Sequence, residues 1–403
     1  MSLQTSSIAT PQEEETGPSR SLLFSLSVGA GLSVAAIYYN QPMLGNIGQD
    51  FQSSVSATGL IPTLTQIGYA LGILLLIPLG DRFNRRHVIL AKGLMLALAL
   101  IMCSFMPSLN GMLATSLIIG IMATMAQDIV PTAAILAPDA QRGKAVGTVM
   151  TGLLIGILLS RVVSGVVTEM VGWRVMYQAA AASIIAISVV LWRVLPNMET
   201  HTSVSYLGLM RSMLTLWSRH PTLRRAALSQ GLLSLAFSAF WSTLAVMLHQ
   251  NYGFGSATAG AFGLAGAAGA LAAPLAGRLA DKQGPSRVTQ VGSGLVALSF
   301  ALMFLLPYLS INAQIALIIV AAIGFDFGVQ AALVSHQTLV YGIDPTARGR
   351  LNALFFTGMF IGMAAGSALG SQALMSLGWS GVVSLATIAG ILSLIIRMTD
   401  RSK

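Results

Sequence analysis

Apolar residues dominate the chain in long uninterrupted runs, with neither the alternation of a half-buried strand nor the polar stripe of a soluble helix. A helix needs about 20 apolar residues to cross a ~30 Å hydrocarbon layer. Runs of that length fall near 22–44, 57–79, 88–107, 112–136, 145–167, 174–195, 225–248, 257–276, 288–306, 312–337, 350–372 and 380–397. The pattern predicts an all-α membrane protein with twelve spans, six in each half, and is unlike the short alternating segments of a membrane β-barrel. The one long polar break, 196–224, holds Leu207, Met210, Leu214 and Trp217 on one helical face with Arg211 and Arg219 elsewhere, as in a helix lying in the membrane interface. The expected organisation is a tail over 1–20, a six-helix bundle over 21–195, a linker over 196–224, a second six-helix bundle over 225–397 and a tail over 398–403.

Composition agrees with this medium. Hydrophobic residues make up 55% of the 403 and charged residues 9%, at a mean hydropathy of +0.77. That is too little charge to cover a water-soluble surface. With both termini in the cytoplasm, every Lys and Arg except Arg161 and Arg174 falls at an inner loop, tail or span end, as the positive-inside rule requires. The net charge of +9 is thus a topology signal, and nucleic acid is excluded as a partner. The first 20 residues, with Glu13, Glu14 and Glu15, lack the basic start and cleavage site of a secretory signal and read as a cytoplasmic tail. Cys103, the single cysteine, leaves no intramolecular disulfide and no Cys-based metal site.

The chain repeats itself. Gly80-Asp81-Arg82-Phe83-Asn84-Arg85-Arg86 has a second copy from Gly277 to Arg287, and Gly172-Trp173 recurs as Gly378-Trp379. Duplicated polytopic bundles are a common transporter design.

The second copy fits the pattern G-x-x-x-D-[RK]-x-G-x-x-[RK] at Gly277, Asp281, Lys282, Gly284 and Arg287. In this loop, and in twelve spans split by a central connection, the chain resembles the major facilitator superfamily over nearly its whole length. Tyr38-Tyr39-Asn40-Gln41-Pro42, with Arg161 and Gly165, resembles a bacterial subgroup related to arabinose-efflux and drug/proton antiporter proteins. The first loop departs from the pattern at Ile77 and Asn84; Ser116 stands where many proton-coupled members carry arginine, and the first span holds no acid.

Chemistry gives the loops a role of their own. An acid beside arginines at a span end makes charge-assisted bonds that hold one arrangement of two helices and release in another. Asp81, Arg82, Arg85, Arg86, Gly277, Asp281, Lys282, Gly284 and Arg287 are therefore gating candidates; the plain alternative is that the charges only anchor topology. Rows of glycine mark close helix approach: Gly68 and Gly72, Gly152 and Gly156, Gly260, Gly263, Gly266 and Gly269, and Gly358, Gly362, Gly366 and Gly370. The resemblance implies that these rows are the rocking contacts between the halves.

Charges within the spans cost at least ~2.5 kcal/mol each, so each either serves function or is held as a satisfied structural group, such as a static ion pair between helices. Asp128, Arg161, Asp326 and His336 are the proton-coupling candidates, with Asp128 and Arg161 expected to pair. Asp326, Gln330 and Gln337 form a polar stripe that should face a wet cavity, where a carboxyl group can bind and release a proton. Tyr38, Asn40, Gln41, Gln127, Gln230, Ser234 and Trp241 complete the cavity candidates. Such a wall suits an amphipathic or mildly polar solute.

No cluster of nucleophile, base or metal ligands and no nucleotide-binding loop stands out, so an enzyme and an ATP-driven pump are disfavoured. The expected function is secondary active transport of a drug-like or sugar-like solute by a monomer in a bacterial inner membrane, without cofactor. The resemblance implies proton-coupled efflux; uptake of a small metabolite is the alternative, ahead of a membrane enzyme or receptor.

Overall fold

A computed structural model describes residues 18–138, 141–198, 205–266, 275, 278–279 and 282–399. The first half is built from α1 (Arg20–Ala35), α2 (Asn40–Asp50), α3 (Val55–Thr58), α4 (Leu60–Leu76), α5 (Leu79–Arg82), α6 (Arg85–Ser104), α7 (Leu109–Ala123), α8 (Met125–Leu136), α9 (Arg142–Val171) and α10 (Trp173–Val194). A connecting helix, α11 (Tyr206–Arg219), leads to α12 (Pro221–Tyr252), α13 (Ser256–Ala261), α14 (Pro285–Leu302), α15 (Ile311–Tyr341) and α16 (Arg348–Met398). Ten stretches are long and apolar enough to cross a membrane among the described residues. One of them, α16, bends at Gly378 and is long enough for two crossings. The predicted eighth span begins with α13 and a 3-10 turn at Phe262–Gly266, and most of its remainder lies outside the described residues. Around the bundle Leu98, Val190, Val291 and Leu392 stand exposed, as lipid-facing side chains do.

Several predicted spans are broken, for local reasons. Pro42 has no N–H for the Tyr38 carbonyl, and the chain from Ala36 to Tyr38 tightens to i→i+3 bonds, Tyr38 O accepting from Gln41 N instead. Between α7 and α8, Gln127 N turns to Thr124 O; the Ser33 hydroxyl supplies the Ala123 carbonyl with a partner at 2.7 Å. The repeated Gly-Trp pair makes two like turns: Gly172 (φ 92°) joins α9 to α10, and Gly378 (φ 68°) joins the two arms of α16. A positive φ is open to glycine and strained for other residues.

The termini of the described chain and the arginines at 82, 85 and 86 share one end of the bundle, called here the basic end. From the midplane to the opposite end a row of bonds ties the halves together. Gln66 and Ser238 exchange hydrogen bonds at 3.1 and 3.2 Å. The Ser367 hydroxyl donates to Gly59 O at 3.1 Å and that of Ser256 to Gly165 O at 3.0 Å; Glu169 Oε2 accepts from Ala257 N at 2.8 Å and Gln372 Oε1 from Ser56 at 2.9 Å. At the basic end a cavity opens between α1 and α9, beginning at Arg20 and Lys144.

The glycine rows correct one expectation. Gly68 and Gly72 back onto Leu117 and Ile121, Gly152 and Gly156 onto Ser27 and Gly31, and Gly358, Gly362, Gly366 and Gly370 onto Ala227, Gly231, Leu235 and Ala239. These contacts lie inside each half. Gly260 and Gly263, which face Arg161, and Gly165, which faces Ser256, do meet the other half; Gly269 lies outside the described residues. The pattern in the sequence marks where backbones approach but not which backbone comes near, and bundle packing claims most of it.

Candidate functional site

Near the midplane, side chains from both halves meet around one arginine. Arg161, on α9, is 3% exposed. Its Nε donates to Gln41 Oε1 at 2.7 Å, and its guanidinium lies 4.4 Å from the Trp241 ring, 5.1 Å from Tyr38 and 5.5 Å from Phe237. Cation–π contacts of this kind hold a charge where water is scarce. The break before Pro42 carries Tyr38 and Gln41 to this point, and helical spacing on α12 brings Phe237 and Trp241 to the same face. On the far wall Asp326 Oδ1, from α15, accepts from Trp241 Nε1 at 3.4 Å. A side chain started at Gly266 would lie 2.8 Å from Asp326 Oδ2 and 4.0 Å from Arg161 Nη1, so the two charges look at each other across that glycine.

Tyr38, Gln41, Arg161, Trp241 and Asp326 thus come together, and Phe237 joins them unanticipated. Phe237 lay one helical turn before Trp241, a spacing that marks it in retrospect. Asn40 donates to Thr65 at 3.4 Å beside the cluster. Gln230 and His336 form a second, separate pair, His336 Nδ1 lying 3.0 Å from Gln230 Oε1. It sits about 15 Å nearer the basic end, ten residues along α15 at 1.5 Å each. Ser234 is buried on the same face of α12. Gln127 donates to the Tyr69 hydroxyl at 3.1 Å, Gln330 is half-buried, and Gln337 bonds Tyr341 and Asn352 at 3.4 Å.

The expected Asp128–Arg161 pair does not form. Asp128 Oδ2 accepts from Lys92 Nζ at 2.5 Å, both side chains buried. Asp128 Oδ1 also lies 3.1 Å from where a side chain would start at Gly80, in the first basic loop. Asp128 and Arg161 are separated along the bundle by more than their side chains span, and Lys92 is nearer. Sequence placed Lys92 among the loop charges, yet α6 begins at Arg85 and carries it two turns inward. A lysine inside an apolar run was the available signal.

In that loop Asn84 caps α6, its side chain accepting from Arg86 N at 3.0 Å. Arg86 donates to Trp192 O at 2.5 Å and Asn197 Oδ1 at 3.2 Å; Arg82 rests 5.8 Å from the Phe83 ring, and Arg85 approaches Gly80. The corresponding Gly284 has φ 86° and precedes Pro285 at the start of α14, so the departure at Asn84 exchanges a left-handed glycine for a side-chain cap. Lys282 and Arg287 are exposed. Gly277, Asp281 and the side chain of Asp81 lie outside the described residues.

A cavity of about 940 Å³ starts at Arg20 and Lys144, at the basic end, and follows α1 and α9 to Tyr39, Ser160 and Val163 near the midplane. No group of three or more His, Cys, Asp or Glu able to hold a metal occurs among the described residues.

Comparison with known proteins gives a consistent result. The sequence profile described as "Major Facilitator Superfamily" matches residues 26–342 and 227–403. The chain is 37% identical over 391 residues to "Uncharacterized transporter YgaY" of Escherichia coli O157:H7, covering 96% of this chain and 97% of that one. It is 32% identical over 365 residues to "Probable transporter SCO4007" of Streptomyces coelicolor, covering 90% and 83%. Among solved structures, the nucleoside transporter NupG superposes with a TM-score of 0.76 at 12% identity, over 94% of this chain and 98% of that one, a likeness of fold.

Proposed function

The chain belongs to the major facilitator superfamily and is a secondary transporter rather than an enzyme, and we propose that it moves a small organic solute together with a proton across a bacterial cytoplasmic membrane by alternating access. One observation carries the reading: a carboxylate and a guanidinium, Asp326 and Arg161, are buried opposite each other at the midplane, one from each half. Buried charges of this kind mark ion and substrate paths. The bonded far end and the open basic end support one limb of the cycle, in which the site faces the basic side. The positive-inside rule makes that side the cytoplasm and puts both termini there.

Asp326 is the proton carrier in this scheme. With Asp326 ionised the two charges offset each other; with Asp326 protonated, Arg161 is left to the cargo. Proton and cargo then bind together, which favours uptake down a proton gradient. The export implied by the subgroup resemblance requires the two to compete for the site. The loop from Gly80 to Arg86, with Asp128 and Lys92 behind it, serves as a gate at the cytoplasmic side, and its counterpart from Gly277 to Arg287 as a second.

Flux into proteoliposomes under an imposed pH gradient separates these cases. Cargo that accumulates on the side to which protons run supports co-transport, and accumulation on the opposite side supports exchange. Solute panels that show no gradient-dependent flux of either kind would sink proton coupling altogether.

A further inference from the structure

We infer that the midplane site receives a carboxylate of the cargo on the paired donors of Arg161 and Gln41, an assignment that rests on the transporter reading above. Arg161 and Gln41 are 3% and 1% exposed, so both lie beyond the reach of bulk water. Because Arg161 Nε donates to Gln41 Oε1, the amide is fixed: the reverse orientation would set two donors against each other. Gln41 Nε2 therefore points away, and it has no hydrogen-bond partner among the described residues. Arg161 Nη2 has none either. An amide and a guanidinium N–H buried without acceptors are costly and uncommon in folded proteins. They belong to side chains already joined to each other, which puts two donors lacking an acceptor in one site.

The complement of two such donors is a planar group with two acceptor oxygens, and guanidinium binds carboxylate in that geometry. Charge sets the number of negative charges. Arg161 is opposed by Asp326 across Gly266, so the pair accommodates one anionic group when Asp326 holds a proton; a dianion such as a phosphate monoester would leave charge uncompensated in a dry site. Tyr38, Phe237 and Trp241 close over the guanidinium, leaving an apolar, aromatic surface for the rest of the molecule. Asn40 Oδ1, buried and without a partner among the described residues, offers an acceptor to a cargo hydroxyl or N–H. The class defined is a small monocarboxylate with a flat or apolar body.

Matched acids and amides test this on the full-length protein in detergent. Indole-3-acetate and benzoate are compared with indole-3-acetamide and benzamide by calorimetry and by thermal shift. The acids should bind about tenfold more tightly than the amides while Asp326 is protonated, and the preference should fall as rising pH ionises it. Gln41→Leu should lose about tenfold for the acids and narrow their lead over the amides. Arg161→Gln should abolish the preference, and Asp326→Asn should keep it as the pH rises. Equal binding of acids and amides overturns the inference, as does absence of acid binding while a pH gradient still drives flux of an uncharged solute. Acid binding without flux under either gradient leaves the carboxylate site standing and removes the transport reading instead.

Discussion

Lys92 Nζ lies 2.5 Å from Asp128 Oδ2, with both side chains buried between α6 and α8. The pair stands behind the first basic loop. Breaking a buried pair by removing one partner costs about 3–5 kcal/mol. Asp128→Asn and Lys92→Met should each lower the melting temperature of the detergent-solubilised protein strongly. The double variant should recover much of the loss, and simple additivity in that cycle would rule out direct coupling.

Removing the midplane carboxylate should separate binding from coupling. Asp326→Asn is expected to retain exchange of labelled cargo across proteoliposomes at equal concentrations, yet lose accumulation under a pH gradient by about tenfold or more. Uphill transport at the wild-type level would remove Asp326 from the proton path.

Glycine rows inside each half make a sharp stability test. A side chain at Gly362 would run into the Gly231 backbone, whereas one at Gly143 meets open space. Gly362→Val should destabilise by about 1–3 kcal/mol or more, and Gly143→Ala should stay within about 0.5 kcal/mol. Melting curves of the two variants, run side by side, decide it.

At the far end, the hydroxyls of Ser256 and Ser367 are the test of which side the site faces. Each net hydrogen bond contributes about 1 kcal/mol, so Ser256→Ala with Ser367→Ala should shift the balance toward the opposite-facing state by about tenfold or more. A cysteine introduced at Gln66 reports this by labelling from the far side, since the native Cys103 is fully buried. Unchanged labelling would mean that the bonds do not hold the far end closed.

Much of the architecture was legible in the sequence because hydrocarbon imposes its demands locally. Runs of apolar residues, the bias of arginines and the repeated Gly-Trp turns require no knowledge of distant neighbours. The candidate site was legible in part. Arg161 and Asp326 stood out as charges in apolar runs, and Trp241 and Gln41 as polar or aromatic positions. Their grouping did not, because a charge in a span shows that a partner is needed without showing which. Arg161 found Gln41, 120 positions earlier, and Asp128 found a lysine that sequence had counted with the loops. The glycine rows failed in the same manner, since closeness is written in the small residue while the identity of its neighbour is a property of the assembled bundle.

The two serine bonds at the far end share a further trait: both end on main-chain carbonyls, those of Gly59 and Gly165, and neither involves a charge. Those two links carry no charge of their own. A carboxylate stands beside them, Glu169 Oε2 accepting from Ala257 N across the same seam. The far door therefore holds neutral and charged ties side by side, and a field across the membrane can act on it at Glu169 as well as through Asp326 and Arg161.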